Sequence, residues 1–136
     1  MAKKKTETTE EEQFPVEEPM ESGDSQAGLV QQCGGEPEIV GGAVVLRAQS
    51  GGTVYAESGR LFATGVSVTI PEGYVAVVAS DPVMCRDKGC VCSGVLLPGE
   101  GRDIVVKLYN QGTSSRDVQQ GDAIGRLVIV PVLPLA

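Results

Sequence analysis

Three cysteines fall close together in Cys85-Arg86-Asp87-Lys88-Gly89-Cys90-Val91-Cys92, and a fourth, Cys33, stands far upstream. Thiolates so near one another are potential zinc ligands, yet structural zinc sites favour paired C-x2-C units and the spacing here is C-x4-C-x-C. In an extended strand Cys90 and Cys92 share one face and Val91 takes the other. The residues therefore read as small buried apolar thiols, with zinc on Cys85, Cys90 and Cys92, and Cys33 as a fourth ligand, as the alternative. The chain contains no histidine, which excludes Ser-His-Asp and Cys-His nucleophile systems, a His-ligated catalytic zinc and a histidine base. Two glycine-rich stretches invite a phosphate-loop reading and fail it. Cys33-Gly34-Gly35 is followed by neither helix nor lysine, and Gly99-Glu100-Gly101-Arg102 runs into the strand pattern Asp103-Ile104-Val105-Val106, so the helix N-terminus that such loops need is missing.

The elements that must position these residues begin after a change in composition. Of the 136 residues, 1–38 carry three lysines and ten acidic residues, while 39–136 carry eight basic and eight acidic ones, so the whole net charge of −7 belongs to the first segment. That segment lacks hydrophobic periodicity and reads as an extended or disordered acidic arm, with residues 39–136 as the folded domain. Two apolar spots in it, Phe14-Pro15-Val16 and Gly28-Leu29-Val30, make Phe14, Val16, Leu29 and Val30 candidates for docking on a partner. An acidic balance without a basic stripe argues against nucleic acid as a partner. The opening Met1-Ala2-Lys3-Lys4-Lys5, which turns acidic rather than apolar, reads as neither a signal peptide nor a membrane span. With four cysteines and no secretion signal, the expectation is synthesis in a reducing cytoplasm.

From Ile39 onward the pattern is short β-branched runs cut by glycine. The predicted strands are Val40 to Ala48, Thr53 to Glu57, Leu61 to Ile70, Tyr74 to Ala79, Gly89 to Leu96, Asp103 to Tyr109 and Ala123 to Val132, and no stretch has helical apolar spacing over three turns. Pro71-Glu72-Gly73, Pro98-Gly99-Glu100-Gly101 and Gln120-Gly121-Asp122 are the turn signals. The class is all-β, a sandwich or jelly-roll-like barrel. So small a domain, poor in aromatics and ending in the apolar run Leu127 to Ala136, is expected to complete its core by oligomerisation.

In order and spacing, Thr64-Gly65-Val66-Ser67-Val68-Thr69-Ile70-Pro71-Glu72-Gly73-Tyr74, Gly94-Val95-Leu96, Lys107-Leu108-Tyr109-Asn110 and Gly121-Asp122-Ala123-Ile124-Gly125-Arg126-Leu127-Val128 resemble the trimeric dUTPase family across nearly all of residues 39–132. The resemblance implies a dUTPase-like β-clip or jelly-roll-like subunit in a homotrimer, three sites at subunit boundaries, and magnesium carried by the nucleotide phosphates. It also marks departures. Val45 stands where the family's first motif has an Asp, and a valine binds neither water nor a cation. Asp81 and Pro82 replace the Arg and Ser that order the phosphates. Leu97 and Glu100 replace the water-activating Asp and the sugar-packing Tyr, and Ala123 and Arg126 replace the fourth motif's Arg and Gln. The family's glycine-rich C-terminal flap is absent from this sequence.

These departures give the expectation of a non-catalytic trimeric module without a cofactor, anchored to a larger assembly. By analogy with trimeric β proteins that bear arms, that assembly would be a viral or phage capsid, with the protein acting in the virion as a decoration or cement protein. The alternative is a nucleotide-binding regulator or a residual dUTP pyrophosphatase that uses magnesium, for which Asp81, Asp87 and Glu100 are the carboxylates nearest the motif positions.

Overall fold

The two longest strands show most directly how this sequence folds. Alternate residues of β5 (Gly59–Ile70), namely Phe62, Thr64, Val66, Val68 and Ile70, are buried, and so are Ile104, Val106, Leu108 and Asn110 of β9 (Gly99–Asn110). Side chains alternate across a strand, so each presents one row to the interior and the other to solvent. The strands pair antiparallel, Phe62 opposite Val106 and Arg60 opposite Leu108.

In a computed structural model, residues 29–135 are described. The chain divides into two units, Met1–Val30 and Gln31–Ala136. Phe14 and Val16 lie outside the described residues, Leu29 lies in a turn and Val30 opens β1 (Val30–Gln32). The second unit is all-β. One sheet has the order β1-β5-β9-β7, with β7 at Cys90–Val91. A five-stranded sheet runs β2 (Ile39–Val40), β3 (Ala43–Arg47), β11 (Ala123–Pro131), β6 (Tyr74–Ser80) and β8 (Gly94–Leu96). A two-stranded ribbon joins β10 (Arg116–Val118) to β4 (Gly52–Val54). Val44, Leu46, Ala76, Val78 and Leu127 from the five-stranded sheet are buried, as is the inner row of β5 and β9. No described helix is long and apolar enough to cross a membrane.

The expected all-β class and the long strands are found, with four corrections. Val40 to Ala48 is not one strand but β2 and β3, which pair antiparallel across a turn where Gly41 and Gly42 take positive φ of 61° and 81°. Gly89 to Leu96 is not one strand but β7 and β8, which belong to different sheets. The strand expected at Thr53 to Glu57 ends at Val54, and Glu57 takes a positive φ of 56°. Pro82–Lys88 forms a helix, α1, where no helix was expected. Its signals are local rather than periodic: Asp81 caps it, Pro82 occupies the first turn where its missing N–H costs nothing, and Gly89 closes it in the left-handed conformation at φ 68°.

Candidate functional site

The separation of β7 from β8 creates the feature of interest. β8 pairs only with β6, Val77 opposite Val95, so its other edge has no ladder partner. β9 pairs with β5 on one side, and on the other only Asn110 and Tyr109 meet β7. The outer edges of Gly94–Leu96 and Asp103–Lys107 therefore face each other without a ladder, across a cleft of about 270 Å³. Val78, Ile104 and Val106 give it an apolar floor, and Ser93, Asp103 and Lys107 give it polar groups. Unpaired strand edges carry regularly spaced donors and acceptors, which suit a planar ligand that has both. Leu97 lies on the turn after β8 and Glu100 at the start of β9, both exposed, Leu97 at 64%.

Of the other motif positions, Val45 and Arg126 lie on the outer face of the five-stranded sheet, and Asp81 and Pro82 open helix α1. Arg126 is in register with Val45 on one side and Ala79 on the other. Val45 is buried, and Arg47 lies two residues along the same face. Asp81 is buried, and its Oδ2 accepts from Val83 N (3.1 Å) and Met84 N (3.0 Å) while Oδ1 lies 3.4 Å from Arg126 Nε. Arg126 Nε is itself buried without a hydrogen-bond partner. Arg47 is held by Glu38 at 2.9 and 3.2 Å and donates to the Gly121 carbonyl at 2.8 Å. The Arg47–Glu38 hydrogen bond holds the Glu38 carboxyl below its usual range and the Arg47 guanidinium above its own. Ala123 begins β11 at the irregularity opposite Arg47. Asp81 thus proves to be a helix cap, which its Asp-Pro context signalled, and an arginine partner, which it did not.

These residues do not suit a protein-held magnesium. Val45 has no donor, both Asp81 oxygens are engaged, Asp87 accepts from its neighbour Arg86 at 2.9 Å, and Glu100 stands exposed at the start of β9. Among the described residues no three His, Cys, Asp or Glu side chains converge on a metal position. The zinc candidates separate likewise. Cys33 and Cys85 are exposed, whereas Cys90 and Cys92 are buried. The Cys92 thiol points at the Ala79 and Ile124 carbonyls, 3.5 and 3.4 Å away. Burial, with a smaller contribution from Asp81, pushes its pKa up to about 11, and burial also raises that of Cys90. A neutral thiol of this kind is a poor metal ligand.

No family model matches the chain. A deoxyuridine 5'-triphosphate nucleotidohydrolase of Antonospora locustae is 35% identical over 72 residues, which are 52% of this chain and 50% of that protein. The match thus spans about half the length of this curated relative. Among solved structures, a variant of the dUTPase of Staphylococcus bacteriophage 80alpha with dUpNHpp matches with a TM-score of 0.70 and 18% identity, covering 79% of this chain and 83% of that one. The dUTPase from phage phi11 of S. aureus matches at 0.70 and 17%, covering 79% and 91%. The fold is dUTPase-like. The expectation of a capsid decoration protein is overturned, because the similar proteins are nucleotidohydrolases. That expectation rested on an analogy of shape, trimeric β proteins with arms, and fold-level analogy does not carry function.

Proposed function

We propose that this chain is a deoxyuridine-nucleotide-binding protein of the dUTPase type, whose reaction is the hydrolysis of dUTP to dUMP and pyrophosphate at a residual rate. The observation that carries this reading is the 35% match to a dUTP nucleotidohydrolase, together with a fold that leaves a cleft between two unpaired strand edges. The base would enter the cleft between β8 and β9, its amide edge bonded to backbone groups and its ring against Val78, Ile104 and Val106. Backbone recognition survives side-chain replacement, so binding is retained while catalysis falls to a residual rate. With Leu97 where the resemblance places the base, no carboxylate at that position takes the proton from an attacking water. Magnesium would arrive with the triphosphate, since this chain offers no carboxylate set to hold it.

The active form would be a homotrimer. The outer face of the five-stranded sheet has a row of valines at its centre: Val95, Val77 and Val128 lie side by side in register, Val75 is opposite Val130, and Val40 is opposite Ala43. Val95 and Val40 are 65% and 51% exposed. A contiguous apolar sheet face of this sort needs a partner, and Arg47, Val45 and Arg126 lie at its end, where a second subunit would meet the nucleotide.

Calorimetric titration of the full chain with dUTP and magnesium, against dCTP, tests the proposal, with pyrophosphate release followed in parallel. Saturable binding that prefers dUTP is expected, with turnover well below the ordinary range of about 1 to 1,000 per second. Absence of binding to any deoxyuridine nucleotide would overturn it.

A further inference from the structure

A larger cavity lies on the other side of β9 and plays no part in the reading above. Between Ala63, opposite Val105, and Ser67, opposite Asp103, β5 sets Thr64, Gly65 and Val66 against the single residue Ile104. A bulge of this size interrupts the ladder, and its backbone groups are satisfied from the sides. Thr64 Oγ1 donates to the Ile104 carbonyl (2.7 Å) and accepts from Val66 N (3.3 Å). Gln32 Nε2 donates to the Thr64 carbonyl (3.2 Å), and Cys33 N donates to that of Gly65 (2.7 Å). The result is a groove of about 490 Å³, within the range of small-molecule sites.

Its chemistry is specific. Gly65 has φ 72°, and a Cβ there would lie 2.7 Å from Gln49 Nε2 and 3.2 Å from Gln32 Nε2. The missing side chain is what lets two carboxamides converge over the bulge. Among the described residues Gln49 makes no side-chain hydrogen bond, and the side-chain Oε1 of Gln32 accepts none. Ser67, Asp103 and the Cys33 thiol complete the polar lining, and no lysine or arginine contributes to it. Paired carboxamides offer a donor and an acceptor side by side, the complement of an N–H next to a C=O. The Asp103 carboxylate, with no cation in the lining, disfavours phosphate.

We propose that this groove is a second ligand site, taking an uncharged planar heterocycle with a ureide edge, a free pyrimidine base or its nucleoside. Asp103, Ile104 and Val105 line both the groove and the β8–β9 cleft, so one strand is the common wall, but the second site does not depend on dUTP binding in the cleft. Cys33 supplies the readout. In full-length protein carrying Cys85→Ser, Cys33 is the one exposed thiol among the described residues, and its alkylation by iodoacetamide is followed by mass spectrometry with uracil, deoxyuridine or dUMP present.

Uracil or deoxyuridine at ten times its dissociation constant should slow the reaction about tenfold, as simple occupancy requires, and dUMP should protect much less. Whichever neutral compound protects better identifies base or nucleoside. Gln49→Ala, a change at an exposed side chain, should abolish the protection and leave dUTP titration of the cleft unchanged. No protection by either neutral compound would overturn the proposal, as would protection that persists in Gln49→Ala or equal protection by dUMP.

Discussion

At the scale of single residues, buried polar groups decide more than the exposed charges do. Asp81 caps two backbone N–H groups and faces a buried Arg126 nitrogen from one carboxylate. Asp81→Ala removes the cap and leaves the guanidinium unpaired, and a loss of about 2 kcal/mol in urea denaturation is expected. Asp81→Asn keeps an acceptor for the cap and should lose less. Cys92 gives a pH signature. Its folded pKa of about 11 lies above the ordinary 9.0, so the folded state holds the proton more tightly than the unfolded chain. The contribution is present in full below pH 9 and is lost as pH rises towards 11, at most about 3 kcal/mol in all. Cys92→Ala should flatten the stability profile measured between those pH values. Glu38 has the opposite sign: its lowered pKa means that its pairing with Arg47 is lost as pH falls through the acid range.

At the scale of elements, what the sequence makes legible is what depends on nearest neighbours. The alternation in Leu61 to Ile70 and Asp103 to Tyr109 reports which face is buried, and the structure buries it. Helix α1 was legible in a different code, Asp-Pro before it and Gly89 after it, but at seven residues it is too short to show a period. The cleft was not legible. It exists because Cys92 and Ser93 carry the chain from one sheet to the other, and strand pairing between residues far apart in sequence leaves no local trace. The degenerate positions Val45, Leu97, Glu100 and Arg126 could be located from the resemblance, but the pairing of Arg126 with Asp81 across strands could not. Asn110 shows how such long-range contacts fix an element. Fully buried, it donates to the Val54 and Ser114 carbonyls (3.0 and 2.9 Å) and accepts from Gly112 N (2.8 Å). It thus ties the end of β9 to β4 and to the turn before β10. Asn110→Ala leaves these groups unsatisfied and should cost about 2–4 kcal/mol, visible as a lowered thermal midpoint.

At the scale of the whole molecule, the valine face joins the proposed trimer to the proposed nucleotide site. The inner face of the five-stranded sheet is closed within the chain by Leu46, Ala76 and Leu127, while its outer face holds Val75, Val77, Val128 and Val130, all half-buried, and the exposed Val95. Burying a valine gives about 1.5 kcal/mol or more, so a row of them against a second copy drives association strongly, and one lysine at its centre opposes it. Val128 is paired with Val77 in the middle of this face and is not part of the interior. Val128→Lys should therefore leave the fold intact by circular dichroism while light scattering shows the trimer replaced by monomer. If nucleotide binding requires a neighbouring subunit beside Val45 and Arg126, the same variant loses dUTP affinity with its β8–β9 cleft unaltered. A variant that stays trimeric would show that the subunits meet elsewhere. A monomer that binds dUTP as tightly as the parent would show that one chain holds the whole site.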